Sequence, residues 1–116
     1  METISSADKF NEQIASESTT VAVFKASWCR DCHFIEPFMP DLEKQYAEKL
    51  TFVHIDRDEL PDLCADYHVL GIPSFIVFHH GKELTRFVSK LRKTREEIEQ
   101  FLDRSLEVME AMKSKG

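Results

Sequence analysis

Three short segments of mostly apolar residues are separated by longer, mainly polar stretches along the chain. The segments 21–26, 51–56 and 74–79 are rich in β-branched and aromatic side chains, and each has the length of a buried strand. A tight turn at 80–82 follows the third segment, and residues 84–89 return from it as the partner of a hairpin. The pattern therefore predicts two buried strands followed by a β-hairpin.

The segments around these strands have the apolar periodicity of helices. A first short helix is predicted to begin at Ser5 or Ser6, whose hydroxyl can accept a free backbone N–H of the first turn. The segment 28–48 predicts a second helix, which Pro37 and Pro40 should kink or divide because proline removes a backbone hydrogen bond. A helical region thus follows the first buried strand directly.

Two further helices complete the pattern. Asp58 is a candidate cap for a short helix, and Thr94 with Glu97 forms a capping box at the start of a long last helix. The short helix has an apolar face formed by Leu60, Leu63, Cys64 and Tyr67. The apolar stripe of the last helix is formed by Ile98, Phe101, Leu102, Ser105, Met109 and Met112. The element order predicts an α/β fold with a mixed sheet between two helical layers.

The composition narrows the class of protein. The chain has 116 residues, 42% hydrophobic and 31% charged, which is typical of one globular domain. A net charge of −6 argues against a general nucleic-acid binder, which needs a basic face. Apolar runs are shorter than a membrane helix requires, and residues 1–9 lack the features of a secretory signal. We therefore expect a cytoplasmic protein with no membrane contact, and a monomer.

The sharpest chemical feature is the segment Trp28-Cys29-Arg30-Asp31-Cys32, which lies between a predicted strand and a predicted helix. Two intervening residues bring both sulfurs within disulfide reach on the first helical turn. Free backbone N–H groups and the helix dipole then favour the thiolate of Cys29, aided by Arg30 and opposed by Asp31. Cys32, one turn further in, can resolve a mixed disulfide. The pattern predicts Cys29 as the nucleophile and Cys32 as the resolving thiol.

Metal binding is the alternative chemistry for closely spaced cysteines. A zinc site would need two further ligands, drawn from Cys64, His33, His54, His68, His79 and His80. The sequence contains neither a second CxxC motif nor an HxxxH pair, so it favours redox chemistry and predicts no metal site. Cys32 and His33 also complete the CxxCH pattern of haem attachment, but the strand–helix frame and the missing export signal disfavour haem.

Other residues of chemical interest are predicted to be structural. Cys64 lies on an apolar helix face, and free cysteine packs readily into cores. His79 and His80 are expected to face solvent at the tip of the hairpin. The basic run 90–93 is expected to be a solvated surface before the last helix.

With these residues in place, the sequence resembles the thioredoxin family from about residue 21 to residue 106. The matching landmarks are Phe24, Ala26, Trp28-Cys29-x-x-Cys32, Pro37, Ile55-Asp56, Gly71-Ile72-Pro73, Phe78, Gly81 and Phe101-Leu102-Asp103. The resemblance implies a thioredoxin fold with a central mixed sheet of four to five strands. It assigns residues 1–106 to a thioredoxin domain and leaves residues 107–116 as a helical extension.

The resemblance also implies how the site works. Pro73 should be cis and lie beside the cysteines, the backbone of Ile72 should pair with an extended substrate segment, and Trp28 should flank the site. The implied activity is reduction of protein disulfides through a reversible disulfide between Cys29 and Cys32. Thioredoxin reductase with NADPH is the implied electron donor, and no bound cofactor is needed.

Several positions depart from the family pattern. The usual buried acid of the strand before the motif is replaced by Val23, and its lysine partner by Phe52. A glycine expected after the hairpin is replaced by Ser89 or Lys90. These changes suggest slower chemistry or a narrower set of partners, and the missing acid favours the alternative of a binding or adaptor module with weak redox activity. A glutaredoxin-like enzyme that acts on a small thiol is a further alternative, which the Trp28-Cys29 context disfavours.

The missing acid leaves the proton of Cys32 without its usual acceptor. The candidates in this sequence are Asp31, Glu36, Lys25 and water. Glu36 lies one turn after Cys32, so it can come near the thiol. For all three side chains a solvated position on the surface is the simpler expectation.

Overall fold

Five strands form a mixed sheet in the computed structural model, which describes residues 1–115. In chain order they are β1 (Glu2–Ile4), β2 (Thr20–Lys25), β3 (Thr51–Asp56), β4 (Ser74–His79) and β5 (Lys82–Phe87). Their order across the sheet is β1-β3-β2-β4-β5. Strands β1 and β2 pair with β3 in parallel, whereas β4 is antiparallel to both β2 and β5. The mixed sheet that the sequence predicts is confirmed.

Helices cover both faces of this sheet. They are α1 (Ala7–Ala15), α2 (Arg30–Ile35), α3 (Met39–Tyr46), α4 (Pro61–Asp66) and α5 (Arg95–Lys115). One apolar cluster joins α1 and α4 to the sheet through residues such as Phe10 and Leu63. A second cluster joins α3 and α5 to the opposite face through residues such as Leu42 and Leu102. The predicted arrangement of helices on two faces is therefore confirmed.

Side-chain alternation along β2 connects the two clusters to the site. Ala22 and Phe24 belong to the cluster beneath α1 and α4, and Val21 and Val23 belong to the cluster beneath α3 and α5. The strand ends at Lys25, and the chain then turns into α2. The cysteine pair consequently lies at the carboxyl end of the central strand of the sheet.

Proline and capping residues set several helix ends as the sequence predicts. Pro37 lies in the break between α2 and α3, so the long predicted helix is divided. Ser6 caps α1 by accepting a backbone N–H of the first turn at 3.1 Å. Thr94 and Glu97 form the capping box of α5, since the Glu97 carboxylate accepts the Thr94 N–H at 3.0 Å and the Thr94 hydroxyl accepts the Glu97 N–H at 3.2 Å.

Two strand predictions differ from the structure. The apolar pattern does not reveal β1, because three residues are too few to show alternation. The second hairpin strand begins at Lys82 rather than at residue 84, because only His80 and Gly81 form the turn. Both turn residues have positive φ angles, 50° and 81°, as a two-residue hairpin turn demands.

Three predicted side-chain positions also need correction. Asp58 does not cap α4, whose N-cap is Leu60 with no side-chain hydrogen bond. His79 is half-buried instead of facing solvent, with its Nδ1 3.0 Å from the Thr19 hydroxyl. Met112 is exposed and lies outside the buried stripe of α5. Each of these positions depends on contacts between distant segments, which periodicity does not report.

Helix α5 continues past residue 106 without a break. Met109 on this continuation is buried, and its sulfur accepts a hydrogen bond from the Thr19 hydroxyl at 2.9 Å. The boundary between 1–106 and 107–116 stays a prediction, and Gly116 lies outside the described residues. Neither α5 nor any other helix within residues 1–115 is long and apolar enough to span a membrane.

Candidate active site

Cys29 and Cys32 meet at the first turn of α2. Cys29 is the N-cap of the helix, and its Sγ accepts the backbone N–H of Cys32 at 3.1 Å. The two residues are 6% and 1% exposed, and both thiols are free. The sulfur of Cys29 takes the place of the hydroxyl that usually caps a helix, so it faces backbone N–H donors. The structure thus brings together the two cysteines that the sequence singles out.

The environment of Cys32 keeps its thiol protonated. Burial, followed by the hydrogen bond with Cys29, raises the pKa of Cys32 to about 12. A backbone hydrogen bond from Ala26 and the positive charge of Lys25 act in the opposite direction, but they are outweighed. Cys32 must therefore give up a proton before it can attack another sulfur, which suits a resolving thiol and not the first nucleophile.

The loop before β4 lies against the cysteine pair. Its Ile72–Pro73 peptide is cis, as the family resemblance implies, and the carbonyl oxygen of Ile72 lies 3.7 Å from the sulfur of Cys29. Gly71 precedes it at a point where a Cβ atom would stand 2.2 Å from the carbonyl oxygen of Ser89. Two stretches of backbone meet there, so only glycine fits.

Trp28 stands at the outer edge of the site. Its side chain is 62% exposed, and its indole N–H donates a hydrogen bond of 2.8 Å to the carboxylate of Asp58. This bond gives Asp58 a role that differs from the predicted helix cap, because it orients an aromatic ring beside the cysteines. A ring held in this way offers an apolar surface at a fixed place.

A small polar pocket lies where α2 faces the ends of β2 and β3. It is lined by Lys25, Ala26, Ser27, His33, Glu36, His54 and Asp56. Ala26 also contributes the backbone hydrogen bond to the sulfur of Cys32, so the pocket adjoins the buried thiol. Of the residues considered as zinc ligands, His33 and His54 therefore lie close to the site, where they line this pocket.

The pKa values of the two histidines in this pocket are shifted in opposite directions. His33 lies between the carbonyl oxygen of Ser27, at 2.5 Å, and the carboxylate of Glu36, at 3.1 Å. Both partners accept hydrogen bonds, so both ring nitrogens donate. The hydrogen bond to Ser27, followed in size by that to Glu36, raises the pKa of His33. Burial and the nearby charge of Lys25 lower the pKa of His54, which favours its neutral form.

The structure distinguishes among the three side chains that are candidates to accept the proton of Cys32. Glu36 is engaged with His33, and Asp31 forms an ion pair of 3.0 Å with Arg92. Lys25 remains as the candidate whose charge acts on Cys32. Because an ammonium group stabilises a neighbouring thiolate, Lys25 favours loss of this proton without having to accept it.

Val23 and Phe52, which replace the acid and the lysine of the family pattern, both lie in the cluster beneath α3 and α5. Val23 is fully buried there, and Phe52 is almost so. Both side chains are apolar, so this part of the sheet provides neither a proton acceptor nor a counter-ion. The polar pocket beside Lys25 is the polar environment that adjoins Cys32 instead.

Sequence reasoning missed the importance of the basic run at 90–93. Lys93 is 1% exposed instead of solvated, and Arg92 binds Asp31 between the two cysteines. The only local signal was the position of Lys93 directly before the cap residue Thr94. Its burial results from packing between the loop and the sheet, which a hydropathy pattern does not show.

Cys64 and the remaining histidines form no additional site. Cys64 is buried in the cluster beneath α1 and α4, and burial raises the pKa of its thiol. Its predicted role in core packing is therefore confirmed. Within residues 1–115, no group of three or more His, Cys, Asp and Glu side chains is arranged to hold a metal ion.

These features define a class of protein: an α/β domain with a cysteine pair at the start of a helix and a cis-proline loop against it. A family model described as Thioredoxin matches residues 2–104. The chain belongs to the thioredoxin family. The relationship is supported by curated proteins and by solved structures.

Two plant proteins and one parasite structure illustrate this similarity. The chain is 35% identical over 96 residues to Thioredoxin X, chloroplastic, from Arabidopsis thaliana, which covers 82% of this chain and 53% of the relative. It is 40% identical over 85 residues to Thioredoxin H1 from Arabidopsis thaliana, and the match covers 70% of this chain and 74% of that relative. The crystal structure of thioredoxin from Trypanosoma brucei brucei matches with a TM-score of 0.80 at 25% identity, and the match covers 90% of this chain and 89% of that structure. The chain thus spans about half the length of Thioredoxin X.

Proposed function

We propose that this chain is a thiol–disulfide oxidoreductase that reduces protein disulfides through a reversible disulfide between Cys29 and Cys32. The observation that carries the proposal is the geometry at the start of α2. The sulfur of Cys29 accepts a backbone N–H at 3.1 Å, while Cys32 is buried behind it as a protonated thiol. One sulfur is thus suited to attack, and the other to complete the exchange.

The reaction proceeds in two exchanges. The thiolate of Cys29 attacks one sulfur of a substrate disulfide, forms a mixed disulfide and releases the other substrate sulfur, which takes up a proton. Cys32 then loses its proton and attacks the sulfur of Cys29, which breaks the bond to the substrate and releases the second substrate thiol. Two electrons have passed to the substrate, and the chain is left with an internal disulfide.

Trp28, Ile72 and Pro73 are proposed to bind the substrate. The backbone at Ile72 lies next to the sulfur of Cys29, so a peptide that pairs with it as an added strand brings its disulfide to that sulfur. Trp28 is held beside the site by Asp58. Two strongly exposed leucines, Leu70 before the cis-proline loop and Leu91 before α5, extend the apolar surface around the cysteines.

The two electrons must be replaced after each turnover. Thioredoxin reductase with NADPH is the proposed donor, and the chain needs no bound cofactor because the cysteine pair carries both electrons. The cytoplasm is the proposed compartment, and a monomer is the proposed state.

Reduction of insulin tests this function. In the presence of thioredoxin reductase and NADPH, the chain should precipitate insulin B chains and consume NADPH, whereas the variant with both Cys29→Ser and Cys32→Ser should do neither. A wild-type chain that shows no turnover with insulin would favour the adaptor alternative. Turnover with glutathione mixed disulfides alone would favour the glutaredoxin-like alternative.

Replacing Lys25 with methionine should slow the second exchange. The positive charge of Lys25 lowers the pKa of Cys32, so its removal leaves less thiolate for attack on the mixed disulfide. We expect the release of the second thionitrobenzoate from Ellman's reagent to slow by about threefold to tenfold. Lys44→Met is the matched control, because Lys44 is exposed on α3. Equal rates for the two variants would contradict this role of Lys25.

A further inference from the structure

The loop between β5 and α5, residues 88–94, holds a buried cation. Lys93 is 1% exposed, and its ammonium group donates to the carbonyl oxygen of Ser89 at 3.3 Å, the hydroxyl of Ser89 at 3.2 Å and the carbonyl oxygen of Leu91 at 3.2 Å. The same group lies 5.0 Å from the centroid of the Phe87 ring. Three acceptors match the three protons of an ammonium group, so the contacts suit the charged form.

Burial of this charge is costly, and none of the three acceptors is a carboxylate. An ammonium group taken out of water loses several kcal/mol unless its surroundings compensate. Here the compensation comes from the three acceptors on Ser89 and Leu91, from the Phe87 ring, and from the nearby carboxylates of Asp31 and Glu97. Lys93 thereby ties the backbone at Ser89 to the backbone at Leu91 and gives the β5–α5 loop a defined shape.

This loop is joined to the cysteine helix by the neighbouring residue. Arg92 donates from its Nε to the carboxylate of Asp31 at 3.0 Å, and its guanidinium carbon lies 4.5 Å from the centroid of the Phe34 ring. Asp31 stands between the two cysteines on α2. On the other side of the β5–α5 loop, the carbonyl oxygen of Ser89 contacts the backbone of Gly71. The β5–α5 loop therefore connects the cysteine helix with the cis-proline loop.

We propose that Arg92 and Lys93 are positioning residues of the cysteine site. Lys93 shapes the β5–α5 loop as a buried cation, and Arg92 on that loop binds Asp31, so the negative charge of Asp31 is offset beside the nucleophilic sulfur. The inference rests on the proposed roles of Cys29 and Cys32. It explains how an acidic residue can stand between two cysteines without opposing formation of the thiolate.

Several charges face the site from the elements around it. Those on α2 and β2 are Arg30, Asp31, His33 and Lys25, and those on the adjoining loops and α5 are Asp58, Arg92, Lys93 and Glu97. Burial lowers the pKa of Lys93, and the nearby carboxylates of Asp31 and Glu97 act in the opposite direction. Of the acidic groups in this set, Asp31 is the one within the cysteine motif itself, and it is the one that Arg92 binds.

A purely structural role for the Arg92–Asp31 pair would leave the chemistry unchanged. Both side chains are partly exposed, and such ion pairs contribute little to stability. A charge near a thiolate, in contrast, changes its ionisation measurably even in a surface environment. The pH dependence of thiol reactivity separates these two roles.

The test is the rate of Cys29 alkylation by iodoacetamide as a function of pH, with the modified residue identified by mass spectrometry. Arg92→Gln should move the midpoint of this profile up by roughly half a pH unit, and Asp31→Asn should move it down by a similar amount. The double variant should return close to the wild-type midpoint, since the pair carries no net charge in either protein. Arg104→Gln, which removes a charge from the exposed face of α5, should leave the midpoint unchanged.

A second pair of variants tests the buried cation. Lys93→Met keeps the length of the side chain without its charge and should raise the same midpoint, whereas Lys90→Met, at an exposed position of the same loop, should not. Circular dichroism establishes whether each variant is folded. If Lys93→Met does not fold, the Arg92 and Asp31 variants still decide the proposal.

Two outcomes would overturn this inference. The first is an Arg92→Gln profile that coincides with that of the wild type, and the second is a double variant that stays at the midpoint of Asp31→Asn. Failure of the proposed function has a different signature, because it would appear as a wild-type chain that cannot reduce insulin. The alkylation profiles can be measured and compared in either case.

Discussion

Cys32→Ser is expected to accumulate covalent complexes with insulin, and Cys29→Ser is expected to form none. Without the thiol of Cys32, the mixed disulfide made by Cys29 has no internal thiol to resolve it and persists. Without Cys29, the remaining thiol of Cys32 is 1% exposed and has a raised pKa, so it neither reaches nor attacks a protein disulfide. Both variants should lose essentially all turnover, but only one should be trapped.

Non-reducing electrophoresis with mass analysis of the bands measures this difference. The third cysteine, Cys64, is replaced by alanine in both variants and in the reference protein, so that each trapped complex reports on one thiol. Because Cys64 packs into the core from α4 and the proposed exchange uses only Cys29 and Cys32, the Cys64→Ala reference should remain active. Equal trapping by the two serine variants would show that the roles of nucleophile and resolving thiol have been assigned wrongly.

Gly71→Ala is expected to damage both stability and activity. An added Cβ would stand 2.2 Å from the carbonyl oxygen of Ser89 and 2.6 Å from its carbonyl carbon, and backbone atoms cannot rotate away as a side chain can. We expect a loss of about 3 kcal/mol in the free energy of unfolding, at the upper end of overpacking effects. Insulin reduction should fall about tenfold to a hundredfold, because the Ile72 carbonyl beside Cys29 must move with this loop.

Gly81→Ala is the matched control for this substitution. Gly81 has a positive φ of 81°, but no atom lies within 4 Å of the place that its Cβ would take. Strain at this hairpin turn should cost about 1 kcal/mol and leave the rate of insulin reduction unchanged. Urea unfolding measures the stability of both variants. If Gly71→Ala proves as active as Gly81→Ala, close contact at Gly71 is not what holds the site together.

The fold could be predicted from sequence where burial is continuous. The bounds of β3 and β4 agree with the predicted segments 51–56 and 74–79, because short runs rich in β-branched and aromatic residues that end at turns are typical of buried strands. The capping box at Thr94 is equally local. Strand β1 could not be predicted in this way, because it is short and pairs with β3 along only three residues.

The site could be predicted only in part. The cysteine pair is visible from its own motif, since its chemistry needs two thiols at a fixed spacing, whereas the loop at Ile72 and Pro73 is predicted only by the family resemblance. Arg92 and Lys93 could not be assigned, because their partners Asp31 and Ser89 come together only through the fold. A run of basic residues ordinarily indicates a solvated surface, and tertiary contacts override that expectation here.

The replacement of the buried acid by Val23 affects one step of the proposed cycle. A carboxylate at that position could accept the proton of Cys32, whereas an apolar side chain cannot. The polar pocket that includes Lys25 adjoins the same thiol from the ends of β2 and β3. We therefore expect this replacement to affect the second exchange, the step that the Lys25→Met experiment measures.

A single turnover without reductase tests the central claim most directly. The fully reduced chain is mixed with excess insulin, and the disulfide between Cys29 and Cys32 is quantified by peptide mass mapping alongside the insulin thiols released. We expect one internal disulfide gained for each insulin disulfide lost, with Cys64 still a free thiol. Release of insulin thiols without formation of that particular disulfide would contradict the claim.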